Sequence, residues 1–132
     1  MILTDASALV AIIDRDEPDH ARCVAALERL TPPMLTTLPA LTEAAYLLRR
    51  RSGDAALWRL IRRRDLTIGY LDDALLARSL DLVDQYRDVP MALADATLVA
   101  LAEATGERRV LSIDSDFRVY RTRAGHAFEV VP

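Results

Sequence analysis

Short apolar segments that suit β-strands alternate with longer helix-like segments along the whole of this 132-residue chain. The apolar pattern predicts strands at residues 2–4, 34–37, 66–70, 109–113 and 127–131. Between them it predicts helices at residues 6–13, 18–30, 39–51, 55–64, 72–86 and 93–105. Strands that alternate with helices favour right-handed crossovers and a parallel sheet with helices on both faces. We therefore expect an α/β fold, a three-layer α/β/α sandwich around a mainly parallel five-stranded sheet.

The length and composition indicate one globular domain that spans residues 1–132. Hydrophobic residues make up 52% of the chain and charged residues 28%, a balance typical of globular proteins. No apolar run approaches the ~20 residues that a membrane-spanning helix needs, and the first residues lack the basic region of a signal peptide. Cys23 is the single cysteine, so no internal disulfide can form. We expect a cytoplasmic protein that does not associate with a membrane.

The charge balance argues against a surface that binds nucleic acid throughout, because the formal net charge is -3. The sequence contains 17 arginines and no lysine. The arginines gather at residues 49–51, 62–64 and 118–123. These clusters are either ordinary solvated helix faces or a rim for phosphate groups, whose geometry guanidinium matches.

Two acidic residues directly follow predicted strands. Asp5 comes after the strand at residues 2–4, and Asp114 comes after the strand at residues 109–113. Ligands of parallel α/β sheets bind beyond the carboxyl ends of the strands, so both carboxylates emerge at one edge if these strands are neighbours. Each acid also has a simpler interpretation, because Asp5 suits a helix N-cap and Asp114 suits an Asx-turn.

Two further acidic residues lie among apolar residues in predicted helices. Glu43 stands in LPALTEAAYLL, where it shares a helix face with Tyr46 and Leu47. Asp95 stands in MALADATLVALAEA, where its neighbours on the same face are aliphatic. A carboxylate on a buried face without a partner is costly, and one divalent cation would compensate several such groups together. The alternatives are a partly exposed Glu43 and an Asp95 that caps its helix or interacts with the helix dipole.

The four acids Asp5, Glu43, Asp95 and Asp114 together indicate a metal site at one edge of the sheet. Asp116, two residues past Asp114, is either a fifth member or a supporting group. Hard carboxylate oxygens favour Mg²⁺ or Mn²⁺, and the two histidines and one cysteine lack the spacing of zinc ligands. Carboxylates around such a cation equip a protein to hydrolyse phosphodiester bonds.

Two hydroxyl residues flank the acids that follow the strands. Ser7 lies two residues after Asp5, and Ser112 lies two residues before Asp114. We expect these hydroxyls to position a phosphate group or a metal-bound water, although both residue types are also common in turns and strands.

The ordered set of motifs resembles the PIN-domain nucleases and, within them, the VapC-like toxins of bacterial toxin–antitoxin pairs. The matching stretches are ILTDASALVAII, LTEAAYLL, LADATLVALAEATG and VLSIDSDFRVY, which follow the family's order over nearly the whole chain. The resemblance implies a single PIN-like nuclease domain in which Asp5, Glu43, Asp95 and Asp114 form the acidic catalytic quartet. It also implies cleavage of RNA with Mg²⁺ or Mn²⁺ as the cofactor.

Further roles and partners follow from the same resemblance. The expected metal ligands are Asp5, Asp95, Asp114 and Asp116. The hydroxyl of Ser7 corresponds to the one after the family's first acid, and Ser112 stands where the family often has threonine. The arginines expected at the RNA-binding rim are Arg49, Arg50, Arg118 and Arg121. Similar toxins are usually homodimers that a small antitoxin inhibits, so we expect RNA, a cognate antitoxin and a second copy as partners.

Two other functions share some of these features. An aspartate-based phosphatase would use Asp5 as its nucleophile, but such enzymes need a lysine, and they have a second aspartate where this chain has Ser7. A catalytically inactive PIN-like binding module would keep the fold and lose the chemistry, although the presence of all four acids argues against that loss. Binding of Mn²⁺ separates a nuclease from such a module.

Overall fold

The computed structural model describes residues 1–132, apart from the side chain of Arg51, and in them five strands form one sheet. The strands are β1 (Ile2–Thr4), β2 (Met34–Thr37), β3 (Leu66–Gly69), β4 (Arg109–Leu111) and β5 (Glu129–Val131). Their order in the sheet is β3-β2-β1-β4-β5, and every neighbouring pair is parallel. The predicted five-stranded parallel sheet is confirmed.

Helices cover both faces of this sheet. They are α1 (Ala6–Ile13), α2 (His20–Leu30), α3 (Leu38–Leu48), α4 (Asp54–Arg62), α5 (Asp73–Gln85) and α6 (Leu93–Thr105). Helices α5 and α6 pack on the face that carries Leu3 and Val110, whereas α1 to α4 pack mainly on the face that carries Ile2 and Leu111. Successive strand residues point to opposite faces, so Ile2 and Leu3 belong to different apolar clusters. The result is the expected three-layer α/β/α sandwich.

Strand β1 lies in the middle of the sheet. Its pairing with β4 sets Leu3 opposite Val110 and Thr4 opposite Leu111. The side chains of Leu3 and Thr4 are fully buried, which stabilises a strand of only three residues. Because β1 and β4 are parallel neighbours, they end at the same edge of the sheet, and the residues that follow them are brought together there.

Four predicted helices, which correspond to α2, α3, α4 and α5, differ from the observed ones by one to three residues at their ends. The helix predicted at residues 39–51 ends as an α-helix at Leu48 and continues as a 3-10 turn at Arg49–Arg51. Ser52 closes this turn in the left-handed region, with φ 55°. Helix α2 begins at His20, two residues later than predicted, because residues before it form a turn.

The segment after β4 also departs from the prediction. The strand predicted at residues 109–113 ends at Leu111, because the backbone NH of Ile113 donates to the hydroxyl of Ser7. A 3-10 helix follows at Ser115–Arg118, which the hydrophobic pattern does not predict. Of the helices in the described part of the chain, none is long and apolar enough to cross a bilayer.

Candidate metal centre

An acidic site lies at the carboxyl edge of the sheet, where β1 and β4 end. The backbone NH of Asp5 donates to the carbonyl oxygen of Leu111 at 3.2 Å, which extends the pairing of the two strands by one residue. The hydroxyl of Ser112 donates to Asp5 and accepts a hydrogen bond from the backbone NH of Asp114. Asp5 and Asp114 therefore share one edge, as the sequence predicts.

Asp5 is a buried carboxylate, 3% exposed, that accepts three hydrogen bonds. Its Oδ1 accepts from the backbone NH of Ala8 at 2.9 Å, so Asp5 is the N-cap of α1. The same oxygen accepts from the hydroxyl of Ser7 at 2.6 Å, and Oδ2 accepts from the hydroxyl of Ser112. The cap interpretation is confirmed, and Asp5 also lies at the edge that carries Asp114.

The two serine hydroxyls hold Asp5 in place. Ser7 Oγ accepts a hydrogen bond from the backbone NH of Ile113 at 3.2 Å, and Ser112 Oγ accepts one from the NH of Asp114 at 3.0 Å. A hydroxyl has one hydrogen, and both serines donate theirs to Asp5. Both hydroxyls lie at the edge where the sequence places them, and their contact with a phosphate group or a metal-bound water stays a prediction.

The 3-10 helix at Ser115–Arg118 brings Asp116 beside Asp114. The side chain of Asp114 accepts a hydrogen bond from the backbone NH of Asp116 at 3.0 Å and so caps this turn. Burial, together with the charge of Asp114, raises the pKa of Asp116. The Asx-turn interpretation of Asp114 is confirmed, and the turn aligns a second carboxylate with the first.

Asp95 lies in the first turn of α6. Its aliphatic neighbours Leu98 and Val99 are fully buried, as the sequence predicts. Its Oδ2 accepts a hydrogen bond from the phenol of Tyr120 at 3.0 Å. Sequence reasoning missed Tyr120, because 25 positions separate it from Asp95 and no helical or strand spacing links the two.

Three carboxylates converge at this edge. Asp95, Asp114 and Asp116 each place one oxygen within 4.8 Å of the others. The charges of Asp5 and Glu43 also act on Asp95 and help to raise its pKa. Among the side chains that the structure describes, no arginine forms an ion pair with any of these acids. Carboxylates in this arrangement repel one another unless a cation joins them.

The pKa values of the two most enclosed acids reflect this lack of compensation. Burial raises the pKa of Asp5, even though hydrogen bonds from Ser112, Ser7 and the NH of Ala8 lower it. Burial likewise raises the pKa of Asp95 to about 7, against the opposing hydrogen bond from its phenol partner. Asp95 is therefore partly protonated near neutral pH, and a cation that binds there would displace the proton.

Glu43 lies in an environment that differs from the predicted one. It stands on the exposed side of α3, as do Tyr46, 60% exposed, and Leu47, 54% exposed. The buried residues of this helix are Ala40, Leu41, Ala44 and Leu48. Because α3 is apolar on nearly all sides, helical spacing did not identify which stripe is buried, and the predicted buried face was wrong. The charge of Glu43 nevertheless acts on Asp95 and helps to raise its pKa.

The donor set suits a hard divalent cation. The group of Asp95, Asp114 and Asp116 offers carboxylate oxygens alone, and oxygen-only sites favour Mg²⁺ or Mn²⁺. Asp5 is not one of the three converging residues, and its oxygens already accept hydrogen bonds. The charge of Asp5 acts on Asp95, and its role as a direct ligand stays a prediction.

The arginines predicted at the rim fall into two kinds. Arg49, Arg50 and Arg118 are exposed, and the guanidinium of Arg49 lies 4.1 Å from the centre of the Tyr46 ring. Arg121 instead uses Nη1 to donate to the carbonyl oxygens of the three residues that precede it. Arg50 lies beside residues 13–16, past the end of α1 opposite Asp5, whereas Arg118 ends the 3-10 helix that carries Asp116. Contact of these three arginines with RNA stays a prediction, and Arg121 stabilises its own loop.

Comparison with known proteins places this geometry in a family. A sequence model of the PIN domain matches residues 2–122. The chain is 27% identical over 135 residues to Ribonuclease VapC26 of Mycobacterium tuberculosis, a match that covers 99% of this chain and 100% of that protein.

Two solved structures share the fold. The crystal structure of Mycobacterium tuberculosis VapC20, a Sarcin-Ricin loop cleaving toxin, superposes with a TM-score of 0.80 at 23% identity over 100% of both chains. A toxin–antitoxin complex from Klebsiella pneumoniae superposes with a TM-score of 0.67 at 18% identity, over 87% of this chain and 88% of that one. The match to residues 2–122 covers most of the sequence, so the chain belongs to the PIN-domain family.

Proposed function

We propose that this chain is a metal-dependent endoribonuclease that hydrolyses phosphodiester bonds in RNA, and that it acts in the cytoplasm as the toxin of a toxin–antitoxin pair. One observation carries the proposal: the oxygens of Asp95, Asp114 and Asp116 lie within 4.8 Å of one another, with no arginine pairing among the described side chains. Membership of the PIN-domain family and similarity to proteins named as a ribonuclease and as toxins support it.

The proposed cofactor is Mg²⁺ or Mn²⁺, held by Asp95, Asp114 and Asp116. When bound, such a cation lowers the pKa of a water molecule and stabilises negative charge on a phosphoryl oxygen. Asp5 adds a charge that favours the cation, and its bonds to Ser7 and Ser112 fix where that charge lies. Because these carboxylates are already held in place, they need little reorganisation during the reaction, which is the advantage of a preorganised site.

Glu43 completes the proposed catalytic quartet with Asp5, Asp95 and Asp114. It is exposed on α3, and its negative charge helps to raise the pKa of Asp95. A carboxylate in that position accepts a hydrogen bond from the attacking water and orients it toward phosphorus. The exposed guanidinium of Arg118 would bind a flanking phosphate and offset the repulsion between RNA and this acidic edge, and Arg49 and Arg50 would contact RNA farther from the carboxylates.

The proposal is tested by incubating purified protein with total RNA in Mn²⁺, in Mg²⁺ and in a chelator. We expect discrete cleavage products with either cation and none in the chelator. Asp95→Asn should lower the cleavage rate at least ~100-fold, because loss of a cation ligand removes several kcal/mol of stabilisation. Asp65→Asn is the matched control, because Asp65 is an exposed acid that precedes β3 at the opposite edge of the sheet.

Cleavage that persists in the chelator, or in Asp95→Asn, would contradict the proposal. The same samples separate it from an inactive binding module, because only the nuclease should titrate with Mn²⁺ in calorimetry and lose that titration in Asp95→Asn. A preference for phosphomonoesters over RNA would instead favour a phosphatase.

The proposed partners are an antitoxin and a second copy of the chain. The surface of α3 and α4 exposes Tyr46, Leu47 and Trp58, which offer apolar contacts to a partner. A partner segment that crosses this surface and places a cationic side chain among the acids would compensate them in place of the metal. Light scattering should give twice the mass of one chain, and the product of an adjacent short reading frame should bind and stop cleavage. A monomer, or a bound partner without inhibition, would overturn this part.

A further inference from the structure

A buried phenol links the acidic edge to the interior of the protein. Tyr120 is fully buried, and its hydroxyl donates to Oδ2 of Asp95 at 3.0 Å. Its backbone NH donates to the carbonyl oxygen of Asp116 at 3.2 Å. One residue therefore bonds to two of the three acids that converge at the edge, one through its side chain and one through its backbone.

Aromatic contacts determine where this phenol lies. The ring of Tyr120 meets the ring of Tyr86 edge to face, with centroids 5.2 Å apart and planes at 69°. It meets Phe117 in the same way, at 5.2 Å and 82°, and Phe117 in turn packs against Phe128 at 5.9 Å. Rings held on two sides have little freedom to turn, so the hydroxyl is presented to Asp95 at a fixed point.

The Asp95 carboxylate needs such an anchor. The torsion that turns a carboxylate about its last bond is broad, so packing alone does not define where its oxygens point. A hydrogen bond to one oxygen fixes that torsion. The direction of the other oxygen is then fixed as well, because both rotate about the same bond. In the described structure the phenol is the side chain that bonds to Asp95.

We propose that Tyr120 is a positioning residue that orients the carboxylate of Asp95 toward Asp114 and Asp116 for cation binding. The inference rests on the proposed metal-dependent function and assigns a role to a residue outside the acidic quartet. Tyr120 itself touches neither the cation nor the RNA in this role. It acts through Asp95, as hydrogen-bond partners of metal ligands generally do.

Tyr86 offers a matched control within the same aromatic cluster. Its hydroxyl accepts a hydrogen bond from the backbone NH of Arg121 at 2.9 Å, and it bonds to no acid of the site among the contacts described. The changes Tyr120→Phe and Tyr86→Phe each remove one hydroxyl and one hydrogen bond while they keep the ring. They differ in whether the lost bond reaches Asp95.

The experiment measures the Mn²⁺ dissociation constant of both variants by calorimetry and the spectrum of bound Mn²⁺ by electron paramagnetic resonance. We expect Tyr120→Phe to weaken Mn²⁺ binding about 10-fold, the lower end of the range for partners of metal ligands, and to broaden the spectrum. Tyr86→Phe should bind Mn²⁺ as the parent protein does. In the cleavage assay, kcat should fall in Tyr120→Phe while KM for RNA stays constant, because the rim that binds RNA is untouched.

Equal Mn²⁺ affinity in Tyr120→Phe and the parent protein, or equal weakening in both variants, would overturn the positioning role and leave the proposed function intact. A parent protein that binds no Mn²⁺ would overturn both. Thermal unfolding is recorded for each variant, and the titrations are run below the lower of the two melting temperatures, so that a loss of folding does not imitate a loss of binding.

Discussion

The two ends of helix α6 carry acids in opposite surroundings. Asp95 lies in its first turn and Glu103 in its last turns, about 12 Å away along the axis. Glu103 accepts two bonds from the guanidinium of Arg78, at 2.8 and 3.0 Å, and one from the backbone NH of Arg123, at 2.6 Å. Asp95 accepts one bond from an uncharged phenol. We call the end that carries Glu103 the closed end, because its acid forms an ion pair with an arginine. We call the end that carries Asp95 the open end, because its acid has no arginine partner among the described side chains.

The pKa values follow this difference in compensation. Burial acts to raise the pKa of Glu103, but the bonds from Arg78 and Arg123 outweigh it and hold that pKa below its ordinary value. At Asp95 burial prevails, and the pKa rises to about 7. An arginine neutralises the enclosed acid Glu103, whereas none of the described arginine side chains forms an ion pair with an acid of the carboxyl edge. Enclosed acids without a cationic partner are typical of functional sites.

The largest expected effect is on catalysis and is confined to the open end. Asp114→Asn removes one of the three converging carboxylates and should lower the RNA cleavage rate at least ~100-fold, since several kcal/mol of cation stabilisation are lost. The unfolding midpoint of the metal-free variant should stay the same or rise, because one repelling charge has gone. Cleavage kinetics and thermal denaturation check the two halves. Full activity in Asp114→Asn would assign the cation to other residues.

The pH dependence of metal-free stability is the next effect in size. A carboxyl group whose pKa is 3.8 unfolded and about 7 folded holds its proton more tightly in the native state. The contribution of Asp95 to stability is therefore fully present below pH 3.8 and is lost as the pH rises through 7, by about 2–4 kcal/mol. Denaturant unfolding in a chelator at pH 5 and pH 8 measures the loss. Asp95→Asn should flatten this slope, and added Mn²⁺ should restore stability at pH 8; a parent protein equally stable at both pH values would refute the expectation.

The closed end should respond in the opposite sense. Glu103→Gln leaves the guanidinium of Arg78, 17% exposed, without its anionic partner, and should lower the free energy of unfolding by about 1–3 kcal/mol. Because the pKa of Glu103 is lowered, its contribution is present above its unfolded pKa and is lost as the pH falls. Cleavage of RNA at a temperature well below the melting point should be unchanged. A loss of cleavage larger than the loss of folded protein would contradict the division between the two ends.

The same comparison explains how much the sequence reveals. Asp5 and Asp114 were identifiable because each follows an apolar strand, and the parallel pairing of β1 with β4 confirms that they share an edge. The sheet and its helices were predictable from periodicity for the same local reason. The buried stripe of α3 was not, because an apolar helix offers several equivalent stripes, and Glu43 proved exposed.

Contacts between distant segments lay beyond that reasoning. The ion pair between Arg78 and Glu103 joins two helices across 25 positions, and the bond between Tyr120 and Asp95 also spans 25. No residue spacing within one element encodes either contact. The tertiary packing therefore decides which acid has a cationic partner. The acids themselves can be identified from the sequence.

The smallest expected effect concerns the rim around the open end. Arg118 is exposed at the end of the 3-10 helix that carries Asp116, so Arg118→Ala should raise KM for RNA about 2- to 5-fold, as one exposed charge contact implies. The slope of the logarithm of the RNA-binding constant against the logarithm of the salt concentration should decrease by about 1, the contribution of one phosphate contact, while kcat is unchanged. Arg63→Ala is the control, because Arg63 pairs with Asp65 at the opposite edge. An equal change in salt dependence for both substitutions would contradict a specific role of Arg118. It would show that RNA is attracted by the arginines of the whole surface rather than by those near the open end of α6.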